Sequence, residues 1–277
     1  FFHALGMAPR SLRHALIAAA LLAAGAITLK AAPPGGSASW PKTFYDEFSG
    51  TSIDTTKWGY GTLPWSSGRY HKAEYSSYIM PQDSYVTNGL LVLRCRHATG
   101  SESGSYPCSE GMVHSNGKMS YTYGYVEIRA RFPLGQGTWP AFWSLSSGWP
   151  PEFDIAEFYG SGERMHMGLA YGSGTWNSSN FYNSSGETFE NWHTYGLEWG
   201  PGYALWYKDG NIKKTLYQSE VPSSAMYLIL NSGMTWDTNS ATPFPNYFEV
   251  DYCRKYDAPT AVNDNTTGAG LHQFNYT

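Results

Sequence analysis

Residues 123–132 read YGYVEIRARF. Tyr125, Glu127, Arg129 and Arg131 share one parity, and Val126, Ile128 and Ala130 share the other. Successive side chains of a β-strand point to opposite faces, so this stretch is a strand with one apolar and one polar face. The same period recurs outward in both directions. Upstream, residues 90–96 (LLVLRCR) read as a strand. Downstream, candidate strands cover residues 139–145, 153–159, 165–171, 192–199, 203–208, 226–231 and 247–256, with Gly-, Ser-, Asn- and Pro-rich turns between them. Asp209-Gly210 separates ALWYK from IKKTLY and is a strong hairpin signal. Outside the N-terminal region no long segment carries a 3.6-residue apolar period, and no internal repeat is visible. Many short strands at roughly 8–12-residue spacing predict an all-β sandwich or barrel.

Bulk composition agrees. A chain of 277 residues with 42% hydrophobic residues can fill one large all-β domain. Charged residues make up only 14% and the net charge is −4, so nucleic acid has no electrostatic foothold. Aromatic content is 17%, with 11 Trp and 22 Tyr. Such rings present a flat apolar face and a polar edge, which suits either a Tyr-rich β-sandwich surface or a surface that stacks on sugars.

Arg10, Arg13 and His14 precede an apolar run over residues 15–29 and then Ala31, Ala32, Pro33 and Pro34. This order of charge, apolar run and small residues predicts an export leader over residues 1–38, with Met7 as its start and cleavage between residues 31 and 39. A retained anchor is the other reading, although the run is short for a membrane span. Residues 39–257 form the predicted domain, and residues 258–277 a polar tail without strand pattern. The expected location is extracellular, as a monomer with no stable membrane insertion after cleavage. Export permits a disulfide. Cys95 and Cys108 flank a short polar loop and are the favoured pair, leaving Cys253 free; three free thiols are the alternative.

Residues 149–160 read WPPEFDIAEFYG. Glu152 and Asp154 share a strand face, whereas Glu157, three residues further on, falls on the opposite one. A β-bulge near Ile155 and Ala156 returns Glu157 to the first face and leaves Phe153 and Ile155 behind it. Clustered carboxylates repel one another unless at least one holds a proton. Retaining glycoside hydrolysis uses that arrangement, with one ionised nucleophile and one neutral acid roughly 5 Å apart. A solvated acidic face on an edge strand, or a calcium site, is the competing reading.

The sequence resembles glycoside hydrolase family 16, whose bulged branch carries E-x-D-x-x-E, matched here by Glu152-Phe-Asp154-Ile-Ala-Glu157. The likeness continues in order through YDEFSGTSIDTTKW (45–58), NGKMSYTYGYVEIRARFPLGQGTWPAFWSL (116–145), WHTYGLEWGPGYALWYKDG (192–210), MYLILNSG (226–233) and PFPNYFEVDYCRKYD (243–257). The resemblance implies a β-jelly-roll of two curved antiparallel sheets with a cleft on the concave face. It implies Glu152 as nucleophile, Asp154 as its helper and Glu157 as acid/base. It offers Trp139, Trp143 and Trp236 as sugar-binding aromatics, with core packing as the alternative for each Trp. It also implies a structural calcium held by Glu47, the Gly89 carbonyl and Asp251, with no cofactor for catalysis. Two positions depart from the pattern. Pro151 replaces the usual Gly before the first Glu, and the usual His next to an aromatic on the following strand is Ala170 before Tyr171. Either His166 serves instead or that role is absent.

The expected activity is endo-hydrolysis of a β-1,3 or mixed β-1,3/1,4 glucan. A galactan substrate is the alternative within the same chemistry, with Arg69, His71 and Lys72 as cations suited to sulfate. A non-catalytic glucan-binding protein on the same fold is disfavoured by the presence of both glutamates. Transfer to a sugar in place of water is not separable from hydrolysis in the sequence.

Overall fold

A computed structural model describes residues 40–69, 73–98, 106–159 and 164–258. The predicted leader, His71, Lys72 and the tail beyond residue 258 lie outside these. The described strands run β1 (Lys42–Asp46), β2 (Gly59–Tyr60), β3 (Ser77–Ile79), β4 (Ser84–Thr87), β5 (Leu90–His97), β6 (Cys108–Glu110), β7 (Met112–His114), β8 (Gly124–Arg131) and β9 (Thr138–Leu145). They continue with β10 (Glu152–Glu157), β11 (Arg164–Tyr171), β12 (Thr175–Tyr182), β13 (His193–Gly200), β14 (Tyr203–Lys208), β15 (Asn211–Tyr217), β16 (Tyr227–Met234) and β17 (Asn246–Tyr256). A single 3₁₀ turn, Pro81–Asp83, is the one helical element among the described residues.

The strands form two sheets, the β-jelly-roll sandwich expected from the sequence. One has ten strands with the path β15-β14-β13-β8-β17-β5-β6-β3, with β1 added on β17 and β4 on β5. The other has seven in the order β12-β11-β10-β9-β16-β7-β2. Pairing is antiparallel except between β3 and β6. The alternation in β8 is realised. Val126, Ile128 and Ala130 are fully buried between the sheets, while Arg129 and Arg131 point outward to Asp251 and Glu249 of β17.

Between the sheets lies one large core. β10 contributes Phe153, Ile155 and Ala156, β9 contributes Phe142, and β11 contributes Met165, Met167 and Leu169. Facing them from the ten-stranded sheet are Trp199 and Trp206, whose rings stand edge-on to Phe153 at 5.4 and 5.7 Å. Burying each large apolar side chain is worth about 1.5–3 kcal/mol, so this interface fixes β10 firmly. A second, smaller cluster lies on the other face of the seven-stranded sheet, where Leu63 and Ile79 cover Trp143, Tyr227 and Ile229. That cover leaves the β9-β10-β11 portion open.

Gly111 is where the chain passes from one sheet to the other, between β6 and β7. A Cβ there would stand 2.2 Å from the Asp83 carbonyl oxygen, so no larger residue fits. The predicted hairpin at Asp209-Gly210 has positive φ at both residues (51° and 72°), the primed turn that matches strand twist.

The favoured Cys95–Cys108 disulfide is not formed; all three cysteines are buried free thiols. The register explains why. Cys95 pairs with Glu110 and Cys108 with His97, so the two cysteines are diagonal neighbours across β5 and β6. Diagonal Cα atoms lie about 7–8 Å apart, beyond the usual reach of a disulfide. Burial pushes the Cys108 thiol up to about 11 and Cys95 well above its ordinary value.

Candidate active site

Glu152, Asp154 and Glu157 all belong to β10, and the strand is bulged where the sequence demanded it. Against β9, Asp154 pairs with Trp143 and Ala156 with Phe142, so Ile155 is the extra residue. Ile155 and Ala156 both turn into the core, and Glu157 emerges on the same side as Glu152 and Asp154. The Trp206 indole N–H, reaching from β14, donates to the Asp154 carbonyl at 2.8 Å and anchors the bulge from behind.

The three carboxylates line an open cleft of about 390 Å³, shared with Trp65, Trp143, Trp149 and Tyr227. Asp154 is nearly buried, and the two glutamates are half-buried. Neighbouring phenols register the negative charge. Tyr75 is pushed well above its ordinary pKa by burial and then by Glu157, Glu110 and Glu152. Tyr227 is pushed up to about 12 by burial and then by Glu152. Both therefore stay neutral and contribute apolar faces and hydroxyl dipoles rather than charge.

The two predicted tryptophans of β9 take different tasks. Trp143 is buried in the cleft wall, with its indole N–H donated to the Asn231 side-chain oxygen at 2.9 Å. Trp65 meets it edge-on at 6.3 Å. Trp139 lies flat on Tyr75, with centroids 4.3 Å apart and planes 9° apart. Its N–H donates to Glu157 Oε1 at 2.7 Å. Trp139 thus holds a carboxylate and has one ring face covered. Trp236 is exposed and its N–H is tied to the Ala73 carbonyl at 2.9 Å, bracing the loop before β3 and standing outside the cleft lining.

His166 pairs with Glu157 across β10 and β11, whereas Ala170 pairs with Glu152. A histidine on this strand therefore stands beside Glu157 rather than Glu152. Its Nδ1 faces the Asn180 oxygen at 3.2 Å and the Tyr159 hydroxyl at 3.4 Å, which turns Nε2 toward Glu157 Oε2, 3.9 Å away. One ligand atom each from Asp154, Glu157 and His166 lies within 4.8 Å of the others, so this group can hold a divalent ion.

The expected calcium ligands have a different setting. Arg254 grips Glu47 through two hydrogen bonds (2.8 and 2.5 Å), and Arg129 donates to Asp251 at 2.8 Å. Gly89 (φ 76°) follows Asn88 (φ 52°) in the turn between β4 and β5. Each carboxylate already has a guanidinium as counter-charge, so this donor set does not fit a calcium ion as arranged.

Sequence reasoning passed over Trp65, Tyr75, Trp149, Trp176 and Tyr227. For Trp65, Tyr75, Trp149 and Trp176 the signal was present only as the surplus of Trp and Tyr, because each sits in a turn or in a strand with no informative pattern; Tyr227 lies in the strand read at residues 226–231, but nothing in that pattern singles it out.

Fold and site together define a jelly-roll protein with a carboxylate-floored cleft between aromatic walls. The profile of Glycosyl hydrolases family 16 matches residues 72–254, and the chain belongs to that family. It is similar to the glucan endo-1,3-beta-glucosidase A1 of Niallia circulans, 29% identical over 257 residues, covering 76% of this chain and 37% of that protein. It is also similar to the keratan-sulfate endo-1,4-beta-galactosidase of Sphingobacterium multivorum, 31% identical over 252 residues, covering 79% of this chain and 55% of that protein. The chain thus spans little more than half, or less, of these relatives. Among solved structures, the catalytic domain of an endo-1,3-beta-glucanase (laminarinase) from Thermotoga petrophila RKU-1 superposes with a TM-score of 0.71 at 27% identity, covering 80% of this chain and 99% of that one.

Proposed function

We propose that this chain is a secreted, retaining endo-hydrolase of β-1,3 or mixed β-1,3/1,4 glucan. The observation that carries the reading is the bulged β10, which sets Glu152, Asp154 and Glu157 on one cleft floor. Glu152 attacks the anomeric carbon while Glu157 protonates the leaving oxygen, giving a glycosyl ester on Glu152. Glu157 then takes a proton from water, whose oxygen displaces Glu152 and restores both acids. Asp154, between them, positions Glu152. Trp143, Trp65 and Tyr227 hold the sugar, Trp139 holds Glu157, and His166 faces the acid/base. The reaction itself asks for no cofactor, and the leader over residues 1–38 is read as an export signal. The glucanase and laminarinase relatives support the substrate class.

A galactan is the second reading, supported by the galactosidase relative. Among the described residues lining the cleft there is neither Lys nor Arg, which favours a neutral glycan over a sulfated one.

The test is incubation with laminarin, lichenan, agarose and carrageenan, with sizing of the products over time. Short oligomers from laminarin or lichenan are expected; cleavage of a galactan alone moves the substrate and keeps the chemistry. Proton NMR of the first anomer released checks the mechanism: β-product is expected, and α-product overturns retention. Glu152→Gln abolishes turnover with folding intact. Glu157→Gln spares substrates with very good leaving groups, which need little protonation.

A further inference from the structure

The cleft is walled on the β9 side by Trp143, Trp65 and Tyr227 and stays open on the other side, where β11 and the edge strand β12 lie. On that side stands Trp176. It pairs with Ala170, on the same strand parity as Gly168 and His166, so its ring lies on the cleft face of the sheet. It is 43% exposed.

Gly168 shows how close Trp176 comes to the acids. A Cβ built on Gly168 would stand 3.0 Å from Asp154 Oδ2 and 3.0 Å from the six-membered ring of Trp176. Carboxylate and indole thus close on the same point, and the missing side chain at Gly168 is what lets both come so near. The neighbouring residues agree. Ser178 and Asn180 continue the cleft face of β12 with hydroxyl and amide groups. Trp149 closes the corner, resting its ring 3.0 Å from where a Gly174 Cβ would be.

We infer that Trp176 is a stacking platform for the pyranose on the leaving-group side of the scissile bond. The inference rests on the hydrolase reading above. The sugar that is distorted and attacked needs an enclosed seat, which the Trp143, Trp65 and Tyr227 wall provides. The leaving sugar must depart and be replaced by water or by an acceptor, which requires an open side. A large exposed indole there stacks on the apolar face of a β-linked ring without enclosing it. Such a platform also holds an acceptor sugar. An acceptor hydroxyl then gives its proton to Glu157, its oxygen bonds the anomeric carbon, and Glu152 leaves as carboxylate. Trp176 therefore sets the partition between transfer and hydrolysis.

The experiment compares wild type, Trp176→Ala and Trp176→Phe, each checked for an unchanged melting curve. Two ratios are read: kcat/KM on the β-glucan polymer over kcat/KM on an aryl β-oligoglucoside, and transfer over hydrolysis products at high oligosaccharide concentration. Both ratios are expected to fall about three- to tenfold in Trp176→Ala and to recover in Trp176→Phe. Unchanged ratios with an active wild type overturn the platform and leave the hydrolase reading intact. A fall in activity that is equal on polymer and aryl donor also overturns it, because a structural or glycone-side role would do that. A wild type inactive on every glycan overturns the hydrolase reading, and the platform falls with it.

Discussion

The two carboxylate oxygens of Glu157 face different neighbours. Oε1 accepts the Trp139 N–H at 2.7 Å, while Oε2 faces His166 Nε2 at 3.9 Å. Trp139→Phe keeps a ring on Tyr75 and removes the donor. Losing a hydrogen bond to a carboxylate costs about 1.5–3 kcal/mol, so kcat on polymer is expected to fall roughly 10–100-fold. KM should stay within about twofold, since phenylalanine keeps an aromatic ring against Tyr75 and loses only the N–H; steady-state kinetics checks this. Gly168→Ala is the complementary change. The added methyl presses on Asp154 Oδ2 and on Trp176, each 3.0 Å away, and one of them must move. Activity should drop several-fold while the melting temperature shifts little, a split that an assay paired with a thermal melt reads directly.

At the scale of elements, β6 and β7 carry two buried titratable groups whose effects oppose. Glu110 of β6 is fully buried with the Ser77 hydroxyl on Oε2, and burial pushes it up to about 8. His114 of β7 is held down to about 4 by burial and then by Lys118. A carboxyl with a raised folded pKa binds more protons folded than unfolded, so its contribution is lost as pH rises from about 4.5 to 8. A histidine with a lowered folded pKa binds fewer, so its contribution is lost as pH falls from about 6.5 to 4. Where the two ranges overlap, from about pH 4.5 to 6.5, the slopes cancel in part, and above pH 6.5 Glu110 acts alone. The melting temperature is expected to hold near pH 5–6.5 and to decline toward pH 8, with Glu110→Gln flattening the alkaline decline. An equally steep decline in that variant sinks the assignment. Neither strand was legible beforehand, because each is three residues long and Gly111 switches sheets between them. β12 was missed for another reason. Its inner parity holds Asn177 and Ser179, and Asn177 accepts the Lys214 ammonium at 2.8 Å, so no apolar period advertises a strand. By contrast, β8 and β17 turn an apolar parity into the core, β14 is apolar and buried on both faces, and the bulge in β10 followed from three acids that could not otherwise share a face.

For the whole molecule, the question is how the two ends of the described chain are tied together. β1 pairs with β17, and Asp257 N–H donates to the Pro41 carbonyl at 3.0 Å, so the first and last described strands lie side by side within the ten-stranded sheet. Glu47, just past β1, and Arg254 of β17 add a fork of two hydrogen bonds to that pairing. Motif position pointed to calcium here because sequence shows which acids are present, not which cations reach them. Arg254 and Arg129 occupy Glu47 and Asp251, and the arginine charge sits where an ion's charge would be needed. The fork holds the Glu47 carboxyl below its ordinary pKa, with the Arg254 hydrogen bond as the largest cause. A lowered carboxylate contributes stability above its unfolded pKa of 4.5 and loses it as pH falls below that. Two expectations follow from the same geometry. EDTA should leave the melting temperature unchanged at neutral pH, and added calcium should not raise it. Glu47→Gln should lower it by roughly 2–4 °C, since a half-open pair is worth ~1 kcal/mol after solvent screening. Calorimetry with both treatments separates the cases. A fall of several degrees in EDTA, restored by calcium and absent in Glu47→Gln, would mean that an ion displaces Arg254 and closes the sandwich in its place.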